Sequence, residues 1–296
     1  MAVQIPYVRD IEFTYEDSEQ ITPLIRRVVA NNPSAFTYKG TGTYIIGHGN
    51  VAVIDPGPMI DAHVEALMRA LDGETVTHIL ITHTHSDHSP AAAPLKKLTG
   101  AKTYGYGPHG GGHGEEDGDM DFVPDVEIRH GDVLKGDGWT AECVFTPGHT
   151  SNHICFALKE EKTLFTGDHV MGWSTSIVSP PDGNMRAYMA SLRLLLERDD
   201  EIYWPTHGPA IRDPKPFVRA FIAHREDRER QIVEQIKEGR THIKDMVPIM
   251  YAAVDKRLYP AAARSVLAHV QGMVEDGRLV TDGDGTPRLD SEFRLA

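Results

Sequence analysis

Cysteine and long apolar runs are both scarce in this sequence, and each scarcity excludes a class of protein. Cys143 and Cys155 are the only cysteines among 296 residues. Both stand among apolar neighbours, which predicts buried thiols rather than a disulfide framework. No apolar run approaches the ~20 residues needed to span a bilayer, and the N-terminus lacks the apolar segment of a signal peptide. We therefore expect a cytoplasmic protein with no membrane partner.

Positive charge is scarce as well. The chain has 30 Lys and Arg against 43 Asp and Glu, a formal net charge of −13. This balance argues against a surface that wraps nucleic acid by bulk electrostatics. Eight basic and eight acidic residues balance within 240–296, so the excess of negative charge lies in 1–239. The length and the 40% hydrophobic content are those of one large globular domain or two ordinary ones.

Over its first 210 residues the chain alternates short apolar runs with helical patterns. The predicted strands are 44–46, 51–54, 76–81, 140–146, 153–158, 163–166 and 201–204, and the predicted helices are 60–72, 89–99 and one around 189–196. Such an alternation implies layered sheets with helices outside. Catalytic groups are then expected on loops at strand ends, where a rigid scaffold holds them.

One segment of this region has a different composition. Gly105–Asp121 is rich in glycine and acidic residues, which predicts a mobile, solvated loop that borders the site. His109 and His113 lie in this segment and could bind metal, but a flexible loop would make such a site weak.

The pattern becomes helical after residue 212. Helices are predicted at 243–253 and 261–275, and a glycine-rich, turn-rich segment follows at 276–285. Two helices followed by a hairpin are the outline of a winged-helix appendix.

The densest group of metal-binding side chains is His83-Thr-His-Ser-Asp-His88, directly after the predicted strand 76–81. Imidazole and carboxylate groups suit zinc. Alternating side chains on a loop that leaves a strand can point to one side, so we expect His83 and His85 to share one ion. Asp87 and His88 point differently and are better placed for a second ion.

A complete site needs further ligands from distant parts of the chain. His149, Asp168 and His207 each follow an apolar strand and stand beside a glycine, so each is expected on a loop at a strand end. Four ligands in six residues, together with three such candidates, are hard to attribute to chance even among 16 histidines. The pattern therefore predicts a metal centre.

Other polar residues near these positions have less certain roles. His153 is either a group that faces substrate and donates to the leaving atom or an oxyanion, or a structural histidine within its strand. His169 is expected to support the loop of Asp168, and Asp55 to be a buried carboxylate beside the metal loop. Ser174–Ser176 is a candidate lining of the pocket.

The chain resembles the metallo-β-lactamase superfamily over about residues 20–212. The family's HxHxDH motif is intact as His83-Thr-His85-Ser-Asp87-His88, and His149, Asp168 and His207 follow in the expected order. The resemblance implies an α+β fold, a four-layer αβ/βα sandwich with the metals at one edge of the two sheets. It implies that His83, His85 and His149 bind a first zinc ion, that Asp87, His88 and His207 bind a second, and that Asp168 bridges both.

The resemblance also implies a reaction class. Two zinc ions, with iron or manganese as alternatives, would hold a bridging hydroxide as the nucleophile, because a metal lowers the pKa of bound water toward ~7. Asp87 would orient the hydroxide as well as bind metal, so Asp87 and His153 are the candidate catalytic residues. The reaction is then hydrolysis of an ester-, thioester-, amide- or phosphodiester-type bond.

A closer resemblance is to the β-lactamase-like 2 group. Its marks are the stretches 40–44, 146–153, 203–209 and 224–231. It implies a catalytic domain over 1–222 and a winged-helix-like domain over 223–296. Animal members of the group resemble single-strand RNA endonucleases, and related fungal proteins look like thioesterases that act on carrier-bound polyketides. Gly42 departs from the Gly-Thr-Asn-Thr-Tyr-type stretch of the group.

Three functions follow from these observations. The first is hydrolysis of an ester-, thioester- or lactone-type carbonyl in a small-molecule or carrier-bound acyl substrate. The second is a single-strand-specific endoribonuclease, which needs a basic track for RNA, whereas the basic residues of 225–244 alternate with acidic ones. The third, a winged-helix nucleic-acid-binding or dimerisation protein, conflicts with the complete ligand set. We expect the tail to pack on the catalytic domain, wall the cleft or form a homodimer contact.

Replacing the predicted bridging ligand gives a direct test of the dinuclear assignment. Asp168→Ala is expected to lose one or both ions and almost all hydrolysis while the protein stays soluble, because one carboxylate would serve both ions. Metal content by mass spectrometry and hydrolysis rates measure the two effects. Retained metal and unchanged rates would contradict the assignment.

Overall fold

The computed structural model describes residues 3–110 and 118–296, and its N-terminal half is built on a seven-stranded sheet. The strands are β1 (Ser18–Gln20), β2 (Ile25–Val29), β3 (Gly42–Ile46), β4 (Asn50–Ile54), β5 (Thr75–Leu80), β6 (Lys102–Gly105) and β7 (Val126–Glu127), in that spatial order. The first four strands are antiparallel neighbours, and β4 to β7 run parallel. His113 lies outside the described residues.

A second sheet has five strands. They are β8 (Val133–Lys135), β9 (Thr140–Phe145), β10 (Ile154–Leu158), β11 (Thr163–Gly167) and β12 (Ile202–Pro205), in the order β12-β11-β10-β9-β8. Only β11 and β12 are parallel, and helix α3 (Met185–Leu196) lies between them in the chain.

The two sheets face each other across an apolar core. Leu80 of the first sheet belongs to one buried cluster with Phe156 and Phe165 of the second. Along β10 the side chains alternate, since Phe156 enters this core whereas Cys155 and Ala157 face the opposite way. Both cysteines are free and buried, as predicted.

Helices cover the outer face of each sheet. Helices α1 (Asp61–Ala70) and α2 (Ala92–Thr99) pack Leu67 and Leu95 on the first sheet. Helix α3 and helix α4 (Pro214–Lys237) pack Leu192 and Phe221 on the second. The order helix, sheet, sheet, helix confirms the predicted four-layer sandwich.

The C-terminal part has its own apolar core. It comprises the end of α4, helices α5 (Ile243–Met250) and α6 (Tyr259–Glu275), and the antiparallel hairpin of β13 (Leu279–Thr281) and β14 (Phe293–Leu295). This confirms the predicted helix–helix–hairpin outline.

Helix α4 joins the two parts because it runs without a break through residues 222 and 223. It places Phe221 in the core of the second sheet and Ile232 in the core of the C-terminal part. Arg186 of α3 pairs with Glu275 of α6 at 3.1 Å, so the C-terminal part contacts the sandwich. The division into 1–222 and 223–296 stays a prediction.

The seven predicted strands are present, but β1, β2, β6, β7 and β8 were not predicted. Arg26 and Arg27 interrupt the apolar pattern of β2, and the others have only two to four residues. The prediction of a solvated loop is wrong at His109, which is buried with Nδ1 3.0 Å from Thr84 Oγ1.

Among the described residues, no helix is long and apolar enough to cross a bilayer.

Truncation between the sheets should cost far more stability than truncation at the surface. Phe156 is fully buried, so Phe156→Ala is expected to lower the free energy of unfolding by about 3–5 kcal/mol. Leu98, on α2, is 58% exposed, and Leu98→Ala should change it by less than about 0.5 kcal/mol. Urea unfolding measures both, and similar losses in the two variants would contradict the assigned core.

Candidate metal centre

The seven predicted metal ligands converge at one edge of the sandwich. They lie on the loops that follow β5, β9, β11 and β12. Their ligand atoms form three overlapping groups, each within 4.8 Å: His83, His85 and His149; His83, His88 and Asp168; and Asp87, His88 and His207. The shared members make one continuous cluster.

The first group consists of three imidazoles. His85 Nδ1 lies 3.0 Å from His83 Nε2 and 3.1 Å from His149 Nε2. A tetrahedral ion with Zn–N distances of ~2.0–2.1 Å places its ligand atoms about 3.3 Å apart. The three nitrogens could therefore hold one ion after shifts of a few tenths of an ångström.

The group of Asp87, His88 and His207 mixes imidazole and carboxylate. Asp87 Oδ2 lies 3.0 Å from His207 Nε2 and 3.6 Å from His88 Nε2. These separations are those of side chains that face a common point, and the donor types suit zinc and other divalent transition metals.

Asp168 lies between the three-imidazole group and the group that contains Asp87 and His207, and it turns one carboxylate oxygen toward each. Its Oδ2 is 3.7 Å from His149 Nε2. Its Oδ1 is 3.7 Å from His88 Nε2 and 3.5 Å from His207 Nε2. A carboxylate in this position can bind two ions at once.

Two buried atoms of the cluster lack a protein partner. Within the part of the chain that the structure describes, His88 Nε2 and Asp168 Oδ1 form no hydrogen bond although both are inaccessible to solvent. Buried polar atoms without a partner are rare because they lose hydrogen bonds to water and gain none in the protein. A cation among these donors would satisfy both atoms, so the residues present fit a metal.

Three of the imidazole rings are oriented by a hydrogen bond at Nδ1, on the side of the ring that faces away from the cluster. The bonds join His88 Nδ1 to Asp55 Oδ2 at 2.9 Å, His149 Nδ1 to the Ile177 carbonyl at 2.5 Å, and His207 Nδ1 to the Gly40 carbonyl at 3.1 Å. An acceptor at Nδ1 places the ring hydrogen there and leaves Nε2 with a lone pair directed at the cluster. Sequence analysis missed both carbonyls, because backbone groups carry no side-chain signal.

Asp55 ties two of the metal-binding loops together. It is fully buried and accepts hydrogen bonds from Thr82 N at 2.8 Å, Thr82 Oγ1 at 2.7 Å and Thr206 Oγ1 at 3.1 Å, besides its contact with His88. The carboxylate is thus bound to the loops after β5 and β12, in the supporting position that the sequence predicts.

The pKa values of the histidines shift in opposite directions on the two sides of the cluster. Burial, reinforced by the neighbouring histidines, lowers the pKa of His85 to about 3 and that of His83 well below its ordinary value. Burial also opposes charge on His88 and His207, but the carboxylates of Asp87 and Asp168 raise the pKa of both imidazoles.

The carboxylates respond in the opposite direction. Burial would raise the pKa of Asp87 and Asp168, but the charge interactions and hydrogen bonds with His88 and His207 hold both pKa values below the ordinary range. Both acids are therefore ionised and available as ligands.

His153 and His169 lie behind the ligands. His153 is fully buried; its Nδ1 is 2.9 Å from Thr146 Oγ1, and its Nε2 accepts the backbone N–H of Asp168 at 3.3 Å. These contacts favour a histidine that holds the Asp168 loop over one that faces substrate. The His169 carbonyl accepts hydrogen bonds from Ser176 and Tyr188. Ser176 is itself buried.

Comparison with known proteins agrees with this geometry. Residues 39–207 match the model of the metallo-β-lactamase superfamily, and residues 243–287 match the beta-lactamase associated winged helix domain. The fold and the histidine–aspartate centre are those of a metal-dependent hydrolase. The chain belongs to the metallo-β-lactamase superfamily, whose members bind divalent metal.

Individual relatives extend the likeness over most of the chain. The atrochrysone carboxyl ACP thioesterase dmxR1 of Cryptosporiopsis sp. is 32% identical over 78% of this chain and 68% of its own. The beta-lactamase-like protein 2 homolog of Drosophila melanogaster is 30% identical over 88% of this chain and 91% of its own. Among solved structures, a beta-lactamase domain protein from Burkholderia ambifaria has a TM-score of 0.78 at 20% identity, covering 99% of this chain and 97% of that one.

Weakening the support of His88 should weaken metal binding. Asp55→Asn replaces one acceptor oxygen by a donor, so it should reduce metal affinity by about 10–100-fold. Asp125→Asn is the control, since Asp125 accepts hydrogen bonds from Thr103 and Lys96 and contacts none of the seven predicted ligands. Competition with a chromophoric chelator measures the affinities. Equal affinities in the two variants would contradict the role of Asp55.

Proposed function

We propose that this protein is a dinuclear metal-dependent hydrolase that cleaves the thioester of a carrier-bound acyl group. One observation carries the dinuclear part. Asp168 directs Oδ2 toward the three-imidazole group and Oδ1 toward the group of Asp87, His88 and His207. A single carboxylate between two donor sets suits a pair of adjacent cations.

In this proposal each ion has its own ligands. His83, His85 and His149 would hold one ion, Asp87, His88 and His207 would hold the other, and Asp168 would hold both. Zinc suits these donors best, and iron or manganese accepts the same ligand types. When bound, such ions act as Lewis acids toward a carbonyl oxygen and make a water molecule more acidic.

Asp87 is the residue assigned to proton handling. Its side chain is 23% exposed, against 11% for Asp168 and 0% for His88, so it is the ligand of its group that substrate and water can reach. It can therefore accept a hydrogen bond from the attacking water and orient it.

His153 is assigned a supporting part instead. Because its Nε2 accepts the Asp168 N–H and its Nδ1 faces Thr146, it fixes the peptide that carries the shared carboxylate. A direct catalytic role for His153 stays a prediction that no contact supports.

The names of relatives support the thioester as the substrate bond. Three similar proteins, including those of Claviceps purpurea and Aspergillus terreus, are named as atrochrysone carboxyl ACP thioesterases. An acyl carrier thioester presents a carbonyl carbon for attack and a thiolate as a good leaving group. Unlike cleavage of RNA, this reaction does not require binding to a chain of phosphates. It is therefore compatible with a net charge of −13.

The basic residues of 225–244 give little support to the RNA alternative. Arg225 is buried, and Arg228 donates to the Met250 carbonyl. Arg230 pairs with Asp227, and Arg240 with Glu238. Side chains that are committed to protein partners make a poor track for phosphates, which supply most of the affinity for single strands.

A side-by-side assay on metal-loaded protein tests the substrate class. It compares an acyl thioester on an acyl carrier protein, the same acyl group as a small aryl ester, and a labelled single-stranded RNA, with Asp168→Ala as the blank. We expect thiol release from the carrier substrate, slower ester hydrolysis and intact RNA. Cleavage of RNA alone would overturn the proposed substrate and favour an endoribonuclease.

A further inference from the structure

A buried arginine of helix α4 faces the catalytic part of the molecule. Arg225 is 3% exposed, and it forms no ion pair with any carboxylate in residues 3–110 or 118–296. Burial of a guanidinium without a counter-ion is unfavourable unless other groups compensate. Its remaining contacts therefore indicate what it is buried for.

Arg225 makes two compensating contacts, both with the catalytic part. Its Nη2 donates a hydrogen bond to the Ser176 carbonyl. Its guanidinium carbon lies 5.2 Å from the centre of the Tyr188 ring, as in a cation–π pair. The arginine thus holds one point of the segment 169–177 and one residue of helix α3.

The residues that Arg225 contacts lie next to groups that support two predicted metal ligands. Ile177, next to Ser176, supplies the carbonyl that accepts His149 Nδ1 at 2.5 Å. Ser176 Oγ donates to the His169 carbonyl at 2.9 Å, and Tyr188 Oη donates to the same carbonyl at 2.8 Å. His169 directly follows Asp168. Both groups held by Arg225 therefore support His169, the residue next to the one that carries the shared carboxylate.

We propose that Arg225 is a positioning residue of the metal centre, through which helix α4 sets the orientation of His149 and Asp168. The proposal rests on the proposed function, because it takes these two residues to be metal ligands. It gives the helix that leads into the C-terminal part a role in metal binding. A purely structural arginine would instead contribute to folding and leave metal affinity unchanged.

Helix α4 offers a matched control three residues further on. Arg228 lies 4.3 Å from the centre of the Tyr251 ring, and its Nη1 donates to the Met250 carbonyl at 2.7 Å. It therefore has both types of contact that Arg225 has, but with partners in the C-terminal part, and its Nη1 also donates to Gln231 Oε1 at 2.8 Å. Arg225→Met and Arg228→Met each remove one cation–π pair and one bond to a carbonyl.

Zinc affinity by chelator competition and urea unfolding of the metal-free protein are measured for wild type and both variants. Arg225→Met should bind one of its ions about 10–100-fold more weakly, the usual effect of removing an outer support of a ligand. Arg228→Met should lose stability but keep the wild-type affinity. Cobalt substitution adds a spectroscopic readout, since a displaced His149 should alter the visible absorption bands of Arg225→Met only.

Arg225→Lys keeps the experiment decisive if Arg225→Met fails to fold. Lysine retains the charge and one donor for the Ser176 carbonyl but lacks the guanidinium that packs on Tyr188, so its zinc affinity should be lower than that of wild type by less than the 10–100-fold expected for loss of the arginine. Wild-type zinc affinity and cobalt spectra in a folded Arg225 variant would overturn the proposal and leave the proposed function intact. A wild-type protein that binds no zinc would overturn the proposed function itself.

Discussion

The orientation of imidazole rings from behind is the constraint on which the rest of this structure depends. A histidine can offer Nε2 to a cation only if its ring is held and its hydrogen is kept on Nδ1. Here the acceptors are the Asp55 carboxylate and two backbone carbonyls, those of Ile177 and Gly40. Each acceptor lies far from its histidine in the chain, so the folding of the whole sandwich positions the centre.

The same arrangement lets metal binding contribute to stability. His88 Nε2 and Asp168 Oδ1 are buried without a partner in the described structure, and each such atom costs about 1–3 kcal/mol. Metal binding should therefore stabilise the edge of the sandwich most, because ligands that bind only the folded state shift the folding equilibrium.

Much of the centre could be predicted from the sequence because its ligands follow apolar strands directly. His83 follows β5 and His207 follows β12, so an apolar run marks each ligand loop. The carbonyls of Gly40 and Ile177 could not be predicted, since every residue has a carbonyl and only tertiary structure selects one. Strand β2 was missed because Arg26 and Arg27 interrupt its apolar pattern.

Arg225 shows how a charge pattern can mislead. Its acidic neighbours Glu226 and Asp227 are typical of a solvated helix face, and the arginine is nevertheless buried. A signal was present, since Phe221 and Ile232 lie four residues before and seven after it and are buried on the same face. An arginine within the apolar stripe of a helix is a candidate for an inward role.

The most direct test of the account is anomalous X-ray diffraction, above and below the zinc absorption edge, from crystals of zinc-loaded wild-type protein. Two bound ions should give two peaks, one among His83, His85 and His149 and one among Asp87, His88 and His207, with Asp168 contacting both. A single peak, or no peak at this edge of the sandwich, would contradict the dinuclear centre.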